Sequence, residues 1–188
     1  PKALESFQQA LAIAQDIGNK AGEGTTLNNI GEVYRNLGQY PKALESFQQA
    51  LAIAQDIGDS SGEGTTLNNI GAVYDNLGQY PQALENYQQA LAIRTEIGDQ
   101  AGEGTTLNNI GLVYNTQGNY SQAETTLFAA IEVLESLRSR ELKDDQKISI
   151  FEIQASTYRF LQQALVAQNK IDKALEIAER SRGRALVE

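Results

Sequence analysis

Apolar and polar positions alternate along this chain with a helical period, in two successive stretches that then recur. Between residues 20 and 37, Leu27, Ile30, Tyr34 and Leu37 fall three or four residues apart, the spacing of one buried helix face. Residues 41–57 do the same with Ala43, Leu44, Phe47, Ala50, Leu51 and Ile53. Gly38-Gln39-Tyr40-Pro41 separates the two: the glycine suits a left-handed helix end and the proline a first helical turn. Beyond the second stretch, Gly58 predicts a stop and Asp59 an N-cap, with Asn19 and Asp99 at the same point of the flanking units. The predicted unit is helix, tight turn, helix, turn.

That unit repeats. Residues 1–40 and 41–80 agree at 35 of 40 positions without a gap, and residues 41–80 and 81–120 agree at 27 of 40. A period kept without insertion means that each unit stacks on its neighbour in the same way. The predicted organisation is a single all-α solenoid over 1–188, with about nine helices. Residues 1–18 are the second helix of a truncated repeat, and 19–58, 59–98 and 99–138 are full repeats. A polar connector occupies 139–145, and a divergent last repeat occupies 146–188, with helices near 146–168 and 171–187. In that last repeat Ala174-Leu175 and Ile177-Ala178 stay in phase, while Gln162 stands where the earlier helices carry glycine. The opening words Pro1-Lys2-Ala3-Leu4-Glu5 match the interior of a later unit, so the chain is expected to be a piece of a longer protein.

Gly31 and Tyr34, then Gly38, Tyr40, Ala43, Phe47 and Ala50, resemble the tetratricopeptide repeat (TPR) signature, and Gly71, Tyr74, Gly78, Tyr80, Ala83, Tyr87 and Ala90 repeat it. The period of 40, against about 34 in the ordinary repeat, and the words Leu-Asn-Asn-Ile-Gly resemble the variety found in kinesin light chains and spindle-orientation adaptors. The resemblance implies a right-handed superhelix whose first helices line a concave groove for peptide or protein ligands. The run Ala174 to Glu188 resembles the last repeat of bacterial proteins that continue into a CHAT domain, a caspase-like fold. An amphipathic helix closing the stack is the other reading.

The first helices carry a second, polar stripe beside the apolar one. It comprises Thr25, Asn28, Asn29, Glu32, Arg35 and Asn36, then Asn68, Asn69, Ala72, Asp75 and Asn76, then Asn108, Asn109, Leu112, Asn115 and Thr116. Asparagine is a poor helix former because its amide competes with the backbone, so adjacent pairs in three helices call for a function. A carboxamide both donates and accepts, and a ladder of them matches the backbone of an extended peptide. Asn28, Asn68 and Asn108 have two open readings, ligand contact or linkage to the next repeat. For Asn29, Asn69 and Asn109 the family resemblance implies ligand contact. Two of the five differences between the first two units, Glu32 against Ala72 and Arg35 against Asp75, fall on this stripe. Constant amides beside variable neighbours imply backbone grip with local side-chain selection. Where family members that clamp a terminal carboxylate place cations, this chain has Asn28, Thr105 and Asn109, and Arg35 is the one groove cation, so a carboxylate-terminated ligand is not expected.

Composition narrows the chemistry further. The 188 residues contain no cysteine and no histidine, which removes disulfides, the usual zinc sites and cysteine–histidine nucleophiles. No cofactor or metal is expected, and no enzymatic activity. Asp144 and Asp145, and Glu23 near the acidic turns, read as solvated caps, because no histidine or apolar pocket is at hand to tune them as acid and base. Gly-Glu-Gly-Thr-Thr lacks the lysine and preceding strand of a phosphate loop. A net charge of −9 disfavours nucleic acid, and residues 41–80, with one basic and five acidic groups, favour basic or neutral partners. No apolar run approaches the roughly 20 residues of a membrane span, no signal-peptide layout is present, and a cytoplasmic location is expected.

Each first helix also holds three glycines, such as Gly22, Gly24 and Gly31. Gly31 predicts close approach of the paired helix. Gly22 and Gly24 fit either a frayed first turn or tight contact between repeats, and a solenoid that adjusts its pitch to ligand is one expectation. The sequence therefore points to a peptide- or protein-binding scaffold, the sensor or adaptor arm of a larger bacterial signalling protein, with a downstream domain of the same polypeptide as one candidate partner. The alternative is a spacer or an oligomerisation module, self-associating head-to-tail or by swapping through its terminal helices.

Overall fold

The computed structural model describes residues 2–138 and 144–185. Among them there are nine helices and no strand: α1 Lys2–Asp16, α2 Lys20–Asn36, α3 Tyr40–Ile57, α4 Ser60–Asn76, α5 Tyr80–Glu96, α6 Gln100–Thr116, α7 Tyr120–Arg138, α8 Asp144–Ala167 and α9 Ile171–Ala185. They fall into two compact units, Pro1–Gly98 with α1 to α5 and Asp99–Glu188 with α6 to α9. Residues 139–143 of the expected connector lie outside the described residues, as do the side chains of Asp144 and Asp145.

Local chemistry fixes the helix ends. Asn19, Asp59 and Asp99 each accept a hydrogen bond from the backbone N–H three residues on, at 3.0, 2.9 and 3.0 Å, satisfying a donor that the first turn leaves open. Gly58 ends α3 at φ 69°, and Pro41 sits in the first turn of that helix. The turn between α8 and α9 has no glycine; Asn169 adopts φ 59° there, and asparagine is among the few other residues that visit this region readily. Leu37 departs from the apolar stripe expected for α2: it follows the last helical turn as the C-cap and is exposed.

In the first unit, Phe47 and Ala43 of α3 join Ile70 and Val73 of α4 in a buried cluster, with Tyr34, Leu44 and Tyr74 packed around it. Completely burying Phe47 contributes roughly 1.5–3 kcal/mol. The ring reaches this depth because α2 offers Gly31: a Cβ there would stand 2.6 Å from Phe47 Cε1. Gly71 makes the same room for Tyr87, at 2.7 Å, and Gly111 for Leu127, at 2.5 Å. Glycine costs about 1 kcal/mol in a helix interior relative to alanine, and the aromatic burial it permits exceeds that cost. Gly24 also faces its own paired helix, a Cβ there meeting Ile53 at 3.2 Å, so the contact is inside the helix pair.

In the second unit, Leu127 and Ile131 of α7, Tyr158, Leu161 and Leu165 of α8, and Ala174 and Ile177 of α9 form one core cluster. Two carboxylates of α7 bind the last helix pair to it. Glu124 Oε2 accepts from Gln168 Nε2 at 2.9 Å and Lys170 Nζ at 2.5 Å. Glu135 accepts from the Tyr158 hydroxyl, and the Arg180 guanidinium donates to both its oxygens, at 3.2 and 2.5 Å.

Candidate functional site

The polar stripe of the first helices is resolved most fully between α2 and α4. Asn28 Oδ1 accepts from Asn69 Nδ2 at 3.1 Å and from Thr66 Oγ1 at 3.4 Å. The second unit repeats the device: Asn108 Oδ1 accepts from Thr157 Oγ1 of α8 at 2.8 Å. So Asn28 and Asn108 link one first helix to the next, the linkage reading left open by the sequence. Thr66 and Thr157 were not among the residues singled out from sequence. Their signal was a threonine two residues before the asparagine pair in every full unit, kept as Thr157 when that pair itself is replaced by Arg159 and Phe160.

The second asparagines differ among themselves. Asn69 is buried and its amide hydrogen bond to Asn28 is intramolecular. Asn29 is half-buried, and its amide makes no hydrogen bond among the described residues. Asn68 is buried and Asn109 half-buried, and both have partners. Asn36 and Asn76, the last residues of their helices, are exposed.

Further along the stripe, Arg35 approaches Glu32 at only 3.8 Å, and its Nε is buried without a hydrogen-bond partner. Asp75, at the same register of α4, is half-buried, and burial holds its carboxyl above the ordinary aspartate range. Tyr87 of α5 is buried against Gly71; burial pushes its phenol far up, the Asp75 charge adds to the rise and Arg35 opposes it. In the second unit, Asn115 Nδ2 donates to Gln163 Oε1 at 3.3 Å while its own Oδ1 is buried and unpartnered. Leu112, one turn earlier, is half-buried.

A cleft of about 250 Å³ opens between α2, α3 and α4. Thr25, Asn28, Thr65 and Thr66 give it polar walls, and Ile53 and Ile57 an apolar floor. Its size and mixed lining suit one side chain of a bound segment rather than a cofactor.

Glu23 departs from the solvated cap expected of it. It is buried, accepting from Gln15 Nε2 at 3.2 Å and from Lys20 Nζ at 2.8 Å. The Lys20 and Gln15 hydrogen bonds hold its carboxyl below the ordinary range. Gln55 repeats the contact on Glu63 at 2.9 Å, so this carboxylate ties α2 to α1 and α4 to α3. Among the described residues no cluster of acidic, histidine or cysteine side chains is arranged to hold a metal ion, and no helix is long and apolar enough to cross a membrane.

Known proteins fit this architecture. A kinesin light chain with nearly identical TPR-like repeats from Podosopora anserina superimposes at TM-score 0.68 and 18% identity, covering 97% of this chain and 85% of that one. BtubC from P. vanneervenii gives 0.64 at 17% identity, with 98% and 90% covered. The apo form of RapI gives 0.82 at 17% identity, with 99% of this chain and 49% of that chain covered. At these identities the likeness concerns the fold. A stretch of 63 residues is 40% identical to mouse Tetratricopeptide repeat protein 28, covering 33% of this chain and 3% of that protein. The human protein of the same name matches at the same identity over 2% of its length, so the chain spans only a small part of these relatives. The tetratricopeptide repeat profile matches residues 1–56 and 62–136. With glycine-closed helix pairs repeated at a fixed period and packed glycine against aromatic, the chain belongs to the tetratricopeptide repeat family, whose fold is a scaffold for protein–protein interaction.

Proposed function

We propose that the chain binds a protein or peptide segment along the polar face of its first helices, as the sensor or adaptor arm of a larger bacterial signalling protein. The observation that carries this reading is the contrast between neighbours on α2. Asn28 is engaged with α4, whereas the amide of the adjacent Asn29 has no hydrogen-bond partner among the described residues. A half-buried amide with both donor and acceptor unused matches the backbone of an extended chain. The cleft beside Thr25 and Thr65 accepts a side chain of the same segment, and the loosely held Arg35 and half-buried Asp75 add a place for selection. The larger setting rests on the resemblance of the run from Ala174 to the end of repeats that precede a CHAT domain.

The test is a random peptide library selected on the immobilised protein, with affinities of the enriched peptides measured by fluorescence anisotropy. Asn29→Ala should weaken an enriched peptide about tenfold, the loss of one or two hydrogen bonds to a desolvated backbone. Unchanged affinity in that variant removes Asn29 from the site.

The second reading, a spacer or self-associating module, is favoured by the amides that join helices, Asn28 to Asn69 and Asn108 to Thr157. Exposed Ile13 of α1, and Ile17 just after it, give such a module an apolar edge. Under it the chain enriches no peptide and its mass by light scattering rises with concentration.

A further inference from the structure

Arg35 and Asp75 occupy the same register of consecutive first helices and are one of the five differences between two otherwise identical units. Neither is fully engaged. Arg35 has a single loose contact, 3.8 Å from Glu32, and a buried Nε without a partner. The Asp75 carboxylate is half-buried and accepts no hydrogen bond among the described residues. No ion pair joins the two. Tyr87 completes the cluster. Its ring packs on Gly71, one helical turn before Asp75, and its hydroxyl lies in the field of both charges with no hydrogen bond among the described residues. The equivalent positions carry Phe7, Phe47 and Leu127. The hydroxyl appears in the one full unit whose first helix carries a carboxylate at this register.

We propose that Arg35, Asp75 and Tyr87 form a subsite for a side-chain carboxamide, an asparagine or glutamine of the bound segment. The assignment rests on the reading that a segment lies along α2 and α4, and deepens it. A carboxamide oxygen accepts from the guanidinium while its NH2 donates to the carboxylate, and the phenol serves either end. A carboxylate in the same place meets Asp75, and an ammonium meets Arg35. An aliphatic group leaves a buried N–H and a desolvated carboxylate without partners, which is unfavourable for both. The neutral group that donates and accepts is the one that satisfies all three side chains.

The experiment uses peptides enriched from a random library on the unaltered chain. The expected result is asparagine or glutamine at one fixed position of the enriched sequences. Replacing it by leucine, aspartate or lysine in a synthetic peptide should weaken binding about tenfold or more, the scale of hydrogen bonds to charged groups. Asp75→Asn should restore binding of the aspartate peptide selectively, and Arg35→Gln that of the lysine peptide, because each removes the like charge. Both positions are partly exposed, and a circular-dichroism melt checks that each variant keeps its helices. Enriched peptides without a fixed carboxamide, or charge variants that rescue nothing, overturn the subsite and leave the groove reading intact. Failure to enrich any peptide overturns both.

Discussion

The side-chain oxygen of Asn28 accepts a hydrogen bond from the side-chain amide of Asn69, 3.1 Å away and 41 residues later in the chain. The bond joins the first asparagine of one Asn-Asn pair to the second of the next, the former as the acceptor on α2 and the latter as the donor on α4. The same bond separates Asn28 from its neighbour Asn29. Asn28→Ala removes an acceptor from a partly buried pair and leaves Asn69 and Thr66 short of a partner, so it should lower stability by about 1–2 kcal/mol. Asn29→Ala should change stability by less than about 0.5 kcal/mol, as a substitution without lost contacts does. Urea melts of the two variants followed by circular dichroism check the difference.

The close approach of Gly71 and Tyr87 gives a second expectation. Gly71→Ala places a Cβ 2.7 Å from the ring, in a helix interior where alanine is otherwise preferred. Overpacking should win, with a net loss of about 1–3 kcal/mol. Combining it with Tyr87→Ala should cost less than the sum of the two single losses, because the ring that the methyl group meets is then gone. Additive losses in the double variant would mean that the ring is not what the methyl group meets.

The Glu124 cluster predicts acid sensitivity in the second unit. Burial alone would raise the Glu124 carboxyl, but hydrogen bonds from Lys170 and Gln168 and the charges of Lys170 and Lys173 outweigh it and hold the group below its ordinary 4.5. A depressed acid contributes stability above its unfolded value and loses it as pH falls through the folded one. Hydrogen exchange in α9, corrected for the intrinsic exchange rate at each pH, should therefore accelerate in the wild type as pH falls below 4.5. In Glu124→Gln it should already be faster at neutral pH, by about 1–2 kcal/mol of opening free energy, and show less further change on acidification.

Asn169 offers a narrower check. It holds φ 59° at a turn where the other helix pairs use glycine. Asn169→Gly should be close to neutral, while Asn169→Val should lower stability by about 1–2 kcal/mol, since a branched side chain is strained there. Equal melting temperatures for the two would show that the turn relaxes to another conformation.

Much of this architecture is legible in the residues because its signals are local. Asn19, Asp59 and Asp99 cap the helices they precede, Gly58 turns the chain out of α3, and Gly31 lies under Phe47, each read from spacing within one unit. What escapes is the relation between helices. Periodicity places Asn28 on a polar face of α2 but does not say whether that face meets a ligand or α4, because the answer depends on how the next helix is rotated. Thr157 shows the same limit: it lies 51 residues after Thr106 rather than 40, so the contact to Asn108 survives in space while the repeat drifts in sequence. The grip of Glu124 and Glu135 on the last helix pair joins residues more than forty positions apart, with no counterpart in the earlier units. Glu23 looked like a solvated cap because its sequence neighbours are polar, whereas the partner that covers it, Gln15, belongs to the preceding helix.

The most direct test is to follow the asparagine side-chain amide signals by NMR while a library-selected peptide is titrated in. The Asn29 amide should shift in step with binding, while that of Asn69, already held by Asn28, should move little. A saturating peptide that leaves the Asn29 signals in place would contradict a segment lying along α2, and with it the claim that this half-buried amide is the rung on which recognition depends.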